Sequence, residues 1–317
     1  MEKLKLKQQL QLQPQLQPPN PLKLIEEFCE DCKLRNMTEE TIRRYKSSLK
    51  TFLNFLLKEK VAITNVNNHI LKEFLYHVRF ERKVKEKTVE NYFSALSTFY
   101  DYLTFEGLTA SNPILPFRKR YLRRYKNEPE DPPKRIPTVE EVSKLVNSIL
   151  DPRDKAIVTL LAKTGIRRGE LLRIDVDDIN WEEYSITLKA TPKRSNRTVF
   201  FDDECAILLK RWLKAREKLN PKTKALFINY QSGKRIDRNT IYRIVTEHAK
   251  KLNLNWIHPH IFRHFFTTHM VRAGMPREYV KELRGDKRRE AIDLYYRIDK
   301  EELRKVYLSL VPKFGVV

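Results

Sequence analysis

The chain has 317 residues, 41% of them hydrophobic, and 63 lysines and arginines against 41 aspartates and glutamates give a formal charge of +22. This length favours two domains. No apolar run approaches the roughly 18 residues of a membrane span, and the N-terminus is too polar for a signal peptide, so a soluble, cytoplasmic protein is expected. The positive charge predicts nucleic acid as the partner, with an inert basic surface or an anionic membrane as alternatives.

The three cysteines, Cys29, Cys32 and Cys205, are too few for a disulfide framework in a chain of this length. Cys29 and Cys32 have the spacing of half a zinc site, but no second pair or nearby histidine completes four ligands. Both lie in an apolar pattern with helical spacing. We therefore interpret them as buried thiols rather than metal ligands.

The first third of the chain is predicted to be an arm followed by a helical domain. Residues 1–20 form a Gln- and Pro-rich tract, which we interpret as disordered. Over residues 21–112 apolar side chains recur every three or four positions. Thr38 is predicted to open one helix, and Thr88 to begin another that ends at Gly107.

A linker and a second domain are predicted to follow. Residues 113–137 combine six prolines with eight lysines and arginines, which indicates an extended basic linker. Thr138 then opens a capped helix, and residues 184–188 alternate as a strand whose hairpin partner is 197–201. The remainder is helical, so residues 138–317 are predicted to form an α-rich domain with one small antiparallel sheet.

A first candidate for chemistry is the segment TGIRRGEL at residues 164–171. Gly165 is expected to end a helix and to leave Arg167 at a turn beside the next helix. Backbone N–H groups and a guanidinium can both face an anion there. A glycine-bounded turn with surface arginines is the alternative interpretation.

A second candidate is the segment HPHIFRH at residues 258–264. On a helix His260 and Arg263 are three positions apart, so both can point at one phosphate. His260 and His264 have zinc-ligand spacing, but the glutamate of HExxH and a third ligand are missing. His258 and His269 are taken as structural or surface residues.

A third candidate lies near the C-terminus, where LRGD at residues 283–286 is followed by IDLYYRI at 292–298. Paired tyrosines on a helix are more often core residues than nucleophiles. The position of Tyr295 and Tyr296 after two arginine-bearing motifs favours the nucleophile.

Together the three segments resemble the tyrosine recombinase family, which includes phage and archaeal viral integrases and Xer resolvases. Its first box, T-G-[LMI]-R-x-[SG]-E-L, matches residues 164–171, and its second, P-H-x-[LF]-R-H, matches 259–264. Its third, L-x-G-[HW] with the nucleophile nine residues later, matches at Leu283 and Gly285. The resemblance implies that the catalytic residues include Arg167, His260, Arg263 and, as nucleophile, Tyr295, with Tyr296 as the alternative.

The resemblance also implies the fold and a general acid. It predicts a mainly α protein, with a helical, SAM-like core-binding domain at 21–112 and the catalytic domain at 138–317. A lysine on a β-hairpin protonates the leaving group in this family. Lys193 fits that position, with Lys189 and Arg194 as competitors, and a solvated hairpin tip is the alternative.

Two positions depart from the family pattern. Asp286 stands where the family usually has His or Trp, and an ionised carboxylate can only accept hydrogen bonds and repels a phosphate. Either Asp286 turns away to hold a neighbouring arginine, or Arg284 or Lys287 supplies the donor. Arg297 stands where many members have a histidine.

The implied function is site-specific cleavage and rejoining of double-stranded DNA through a 3′-phosphotyrosyl intermediate, without metal or cofactor. Four protomers would act on two DNA sites and be monomers or weak oligomers when free. The C-terminal segment from residue 300 is predicted to dock on a neighbouring protomer or on its own domain. Integration of a virus, plasmid or other mobile element is favoured. Xer-type dimer resolution, a non-catalytic DNA-binding relative and a metal-dependent nuclease are the alternatives.

Overall fold

The computed structural model describes residues 20–122, 135–190, 196–286 and 298–316. The chain divides into two compact units, Met1–Asp131 and Pro132–Val317. Most of the predicted arm, Lys193 and both candidate tyrosines lie outside the described residues. Within the part that the structure does describe, none of the helices combines the length and apolarity needed to cross a bilayer.

The first unit is helical, as predicted. Its helices are α1 (Pro21–Leu34), α2 (Glu39–Glu59), α3 (Asn68–Tyr76), α4 (Glu86–Phe105) and α5 (Ile114–Tyr121). A 3₁₀ turn at Ile63–Asn65 follows α2, and a π-helical turn at His77–Glu81 follows α3.

Local capping and apolar spacing explain α2. The Thr38 hydroxyl accepts a hydrogen bond from the Thr41 N–H at 3.3 Å, which satisfies one of the unpaired donors of the first turn. Apolar residues spaced three and four apart then form its buried face: Ile42, Leu49, Phe52, Leu53 and Leu56. Burial of this face against α1 and α4 holds the helix in place.

The core of the first unit is rich in aromatic rings and contains the two cysteines as free thiols. Burial raises the pKa of Cys32 to about 11, so the thiol is protonated at neutral pH. Cys29 is buried as well. These positions agree with the interpretation of both residues as core thiols.

Two features of the first unit differ from the sequence prediction. Helix α4 begins at Glu86, two residues before Thr88. The predicted linker starting at residue 113 is wrong over Ile114–Tyr121, which is helix α5, with Ile114 and Phe117 buried. The prolines of this segment fall at or near its first turn, where proline is tolerated, so they do not prevent a helix.

The second unit combines helices with one small sheet, as predicted. Its helices are α6 (Val139–Ser148), α7 (Pro152–Thr164), α8 (Arg168–Leu171), α9 (Asp203–Glu217), α10 (Arg238–Lys251), α11 (Ile261–Arg272), α12 (Arg277–Arg284) and α13 (Lys300–Leu310). Its strands are β1 (Ile179–Asn180), β2 (Ser185–Leu188) and β3 (Arg197–Phe200). They form an antiparallel sheet in the order β1-β2-β3, with Ile186 opposite Val199. The predicted hairpin of β2 and β3 is confirmed, whereas β1 was missed.

Helix α7 lies at the centre of this unit. All its residues from Ala156 to Thr164 are buried, and it packs against α9 and α11. Gly165 ends α7 in the left-handed conformation, and a Cβ built there would lie 2.6 Å from the Phe266 ring. Only glycine fits this turn, which carries the chain directly into the candidate site.

The C-terminal segment packs on its own unit. Leu303 and Tyr307 of α13 are buried, and so are Phe314 and Val316 beyond it. Of the two predicted docking modes, the structure has the one within the chain.

Candidate active site

Arg167 occupies the turn between α7 and α8. Its backbone N–H donates to a carboxylate oxygen of Glu170 at 2.7 Å, which fixes the start of α8. The Arg167 side chain is 35% exposed. Arg167 therefore lies at the turn that the sequence predicted, and its side chain is partly exposed there.

Arg263 is the buried counterpart of Arg167. It lies on α11 and is only 3% exposed. Its Nη1 donates to the carbonyl of Gly165 at 3.0 Å, and its Nη2 donates to the carbonyl of Arg284 at 2.9 Å. Arg263 thus joins the turn that carries Arg167 to the end of α12.

His260 immediately precedes α11, three positions before Arg263. Burial, together with the positive charges of His264 and Arg263, lowers its pKa. The imidazole is therefore neutral at neutral pH in the protein without DNA, and it can accept or donate a proton. The His260 and His264 rings are perpendicular, with centroids 5.0 Å apart.

Asp286 places a carboxylate among three of the arginines. Its oxygens lie 3.2 Å from Nη2 of Arg263, 3.0 Å from Nε of Arg284 and 4.0 Å from Nη2 of Arg167. Asp286 holds neighbouring arginines, as one of the two expected arrangements has it, but it points into the arginine cluster and does not turn away from it. Its carboxylate thus lies between the guanidinium groups of Arg167, Arg263 and Arg284.

The electrostatics of the cluster favour a further negative charge. Burial and the positive charges of Arg167 and Arg284 lower the pKa of Arg263, and Asp286 only partly offsets this effect. Guanidinium groups nevertheless stay protonated in proteins, so the repulsion among them persists. An anion with several oxygens would relieve this repulsion more fully than one carboxylate does.

Two residues below the cluster were missed by the sequence analysis. Arg197, at the start of β3, donates from Nη1 and Nη2 to the two oxygens of Glu170 at 2.8 and 3.0 Å. Its Nε donates to the carbonyl of Leu283 at 3.0 Å. Burial by itself would raise the pKa of Glu170, but the bonds from Arg197 and from the Arg167 N–H lower it overall.

The sequence held a partial signal for these two residues. Glu170 is part of TGIRRGEL, where we assigned only Arg167. Arg197 was interpreted only as the start of a strand. A buried pair of this kind cannot be recognised before the fold brings β3 next to α8.

The competing lysine on the hairpin has other partners. Lys189 is bound to Asp175 and lies 3.2 Å from Asp178. The hydrogen bond to Asp175 raises the pKa of Lys189, although burial opposes this effect. Lys193, Arg194, Lys287, Tyr295, Tyr296 and Arg297 lie outside the described residues.

Over the described ranges, no group of three or more His, Cys, Asp or Glu side chains is arranged to hold a metal ion.

Both units match known sequence families. Residues 24–108 match the family described as "Phage integrase, N-terminal SAM-like domain", and residues 137–302 match the Phage integrase family.

Curated relatives extend over most of the chain. Tyrosine recombinase XerC of Leptospira interrogans is 27% identical over 287 residues, which cover 88% of this chain and 89% of that protein. Tyrosine recombinase XerA of Saccharolobus solfataricus is 26% identical over 92% of this chain and 94% of its own length.

Solved structures show the same fold. XerH site-specific recombinase bound to its difH substrate aligns over 89% of this chain and 82% of its own, with a TM-score of 0.63 and 22% identity. A lambda integrase dimer bound to a core site aligns over 87% and 97%, with a TM-score of 0.64 and 13% identity. The chain is therefore a member of the phage integrase family of tyrosine recombinases, enzymes that break and join DNA strands.

Proposed function

We propose that the second unit cleaves and rejoins duplex DNA at specific sites, with Arg167, Lys193, His260, Arg263 and Tyr295 as its catalytic residues. Tyr296 is the alternative nucleophile. Arg284 and Asp286 shape the same anion site, and Lys189, bound to two aspartates, is the less suitable general acid.

The observation that carries this proposal is the convergence of Arg167, Arg263 and Arg284 on the carboxylate of Asp286. A DNA phosphate has two non-bridging oxygens in place of the two carboxylate oxygens, and it carries one negative charge. We infer that the attacked phosphate binds where this carboxylate now lies. The Asp286 side chain is 30% exposed, so it has room to swing towards solvent.

The arginines act on the transition state. The tyrosine oxygen attacks phosphorus, the bond from phosphorus to the 5′ oxygen breaks, and a 3′-phosphotyrosyl ester remains. The pentacoordinate state in between carries more negative charge on its non-bridging oxygens. Fixed guanidinium groups stabilise that charge because they need no reorganisation as it develops.

Two proton transfers accompany the exchange. The tyrosine must lose its proton, and neutral His260 either accepts it or donates to a non-bridging oxygen. The departing 5′ oxygen must gain a proton, which Lys193 supplies. The ester conserves the energy of the broken bond, so a 5′ hydroxyl of a partner strand reverses the step without ATP.

The partner is double-stranded DNA. A charge of +22 predicts many phosphate contacts and a steep loss of affinity with rising salt. Rejoining strands between two sites requires two cleaved duplexes together, for which four protomers on DNA are the assembly we propose. Integration of a mobile element is the favoured task, and the curated relatives named XerC and XerA favour dimer resolution as the alternative.

The test is covalent capture on nicked duplexes. A pool of duplexes with randomised arms carries a nick that lets the cleaved 5′ hydroxyl fragment diffuse away. After denaturation, DNA that stays attached to the protein is sequenced, and it defines the substrate for later assays. We expect an adduct with the wild-type chain in the presence of EDTA.

Single substitutions assign the roles. Tyr295→Phe should abolish the adduct and Tyr296→Phe should retain it. The reverse result would move the nucleophile to Tyr296. If the wild type gives no adduct at any salt concentration, the chain is a non-catalytic DNA-binding relative, and an adduct lost in EDTA would indicate a metal requirement.

A further inference from the structure

Arg197 lies next to the arginine cluster and is almost fully shielded from solvent. Its side chain is 5% exposed, and all three of its donor nitrogens are bound within the protein. Two bind the carboxylate of Glu170 and the third binds the carbonyl of Leu283. One guanidinium therefore connects strand β3, helix α8 and the end of α12.

The end of α12 rests directly on this guanidinium. A Cβ built on Gly285 would lie 2.7 Å from Cδ and 2.8 Å from Nε of Arg197. Gly285 also has a φ of +60°, which favours glycine. Direct contact with Arg197 therefore fixes the position of the backbone that leads into Asp286.

The other side of Arg197 fixes Arg167. Glu170 accepts from Arg197 with both oxygens, and one of these oxygens also accepts the backbone N–H of Arg167. The buried guanidinium of Arg197 therefore holds both the turn that carries Arg167 and the segment at 283–286. Arg263 bridges the same two segments from above, through Gly165 and Arg284.

We propose that Arg197 is a positioning residue for strand cleavage. It sets the distance between the Arg167 turn and the segment at 283–286, and so the spacing of the guanidinium groups that bind the attacked phosphate. It does not touch the phosphate. This inference rests on the proposed function, because it concerns the same phosphate site.

A positioning role makes a prediction that a purely structural role does not. A misplacement of about 1 Å in a catalytic constellation costs roughly 10²-fold in rate. That loss should depend on the negative charge that the arginines stabilise. If one non-bridging oxygen of the attacked phosphate is replaced by methyl, the linkage is neutral and depends far less on guanidinium placement.

The substrate is the DNA sequence identified by covalent capture, with either a phosphodiester or a methylphosphonate at the scissile position. The experiment compares Arg197→Met and Arg197→Lys with the wild type on both substrates. For Arg197→Met we expect about 10²-fold slower adduct formation on the phosphodiester. On the methylphosphonate we expect less than about fivefold, with DNA affinity before cleavage within about threefold. Arg197→Lys keeps the charge but loses the fork to Glu170, so it should restore the phosphodiester rate only in part.

Arg216→Met is the matched control. Arg216 is 7% exposed and donates to the backbone carbonyls of Ala225 and Thr223. Its loss should affect both linkages by the same small factor per folded molecule. An equal loss on both linkages for Arg197→Met would overturn the positioning role, whereas a wild type without any adduct would overturn the proposed function instead.

A double-mutant cycle tests the contact between Gly285 and Arg197 and does not depend on the methylphosphonate. Gly285→Ala should slow cleavage strongly when Arg197 is present, because the new methyl group displaces the guanidinium. In an Arg197→Ala background the same change should cost only the strain of its positive φ. If the effects of the two substitutions on the cleavage rate are strictly additive, Arg197 does not position the segment at 283–286.

Discussion

Two charge clusters among the described residues of the second unit differ in how their charges are balanced. Around Lys163 the acids outnumber the bases: Lys163 and Lys313 face Asp202, Asp203 and Glu204. At the candidate active site the bases outnumber the acids: Arg167, Arg197, Arg263 and Arg284 face Glu170 and Asp286.

The two clusters also differ in the hydrogen bonds that the backbone supplies to their charged groups. Glu204 accepts the backbone N–H groups of Phe314, Gly315 and Val316, and Lys163 also donates to the carbonyl of Pro312. The protein itself thus completes the acidic cluster, which anchors the C-terminal segment. Among the described residues, the carboxylate at the centre of the arginine cluster is that of the partly exposed Asp286. A buried charge cluster that is completed by its own chain is structural, whereas one with excess charge beside solvent indicates a ligand of opposite sign.

The largest expected effect is on stability, at the cluster that the chain completes. Lys163→Met leaves Asp202 and Glu204 without their buried cation, which should lower the free energy of unfolding by about 3–5 kcal/mol. Denaturant unfolding measures this change. Cleavage per folded molecule should change little. Lys155→Met on the same helix is the control, because burial and the positive charge of Arg211 lower the pKa of Lys155.

The pH dependence of the same variant supplies a further check. Burial by itself would raise the pKa of Glu204, but its bonds from Lys163 and the Phe314 N–H lower it overall. A carboxylate with a lowered folded pKa stabilises the protein above its ordinary pKa of about 4.3, and this contribution is lost as the pH falls through the folded pKa. The gap between wild type and Lys163→Met should therefore shrink below about pH 4. A gap that stays constant to lower pH would exclude Glu204 as the partner that matters.

How much the sequence reveals follows the range of each interaction. Thr38 and Gly165 were predicted correctly because capping and left-handed turns depend on neighbouring residues. Arg167 and Arg263 could be proposed as site residues because each lies in a short motif. The hydrogen bond from Arg263 to the carbonyl of Gly165 joins positions 98 residues apart and has no local signal.

The errors have the same origin. Helix α5 was interpreted as a linker because its prolines and basic residues obscure two buried positions, Ile114 and Phe117, which only tertiary packing explains. Asp286 could not be placed because its partners come from α11 and from the turn before α8. The pair of Glu170 and Arg197 joins two motifs that the sequence analysis treated separately.

A smaller effect on stability, but a large one on cleavage, is expected at the arginine cluster. Arg167→Lys keeps the positive charge but removes the planar fork, so adduct formation should slow by about 10²–10³-fold. The free energy of unfolding should change by less than about 1 kcal/mol, since this side chain is partly exposed. Single-turnover cleavage and denaturant unfolding give the two numbers. Arg168→Lys, the same change one residue along, is the control, and an equal loss in that variant would mean that the turn as a whole, not Arg167, is sensitive.

The smallest expected effect concerns Asp286, the partly exposed acid that contacts Arg263 and Arg284 in the arginine cluster. Asp286→Asn removes the negative charge that competes with a bound anion, and leaves a side chain of the same size. The free protein should then bind inorganic sulfate about two- to fivefold more tightly, in keeping with the modest energy of a partly exposed ion pair. Titration calorimetry measures this affinity, with Glu278→Gln at the other end of α12 as a control for net charge. Weaker binding by Asp286→Asn would mean that the carboxylate orients Arg263 and Arg284 for the anion instead of occupying its place. Anion binding by the arginine cluster would then require Asp286.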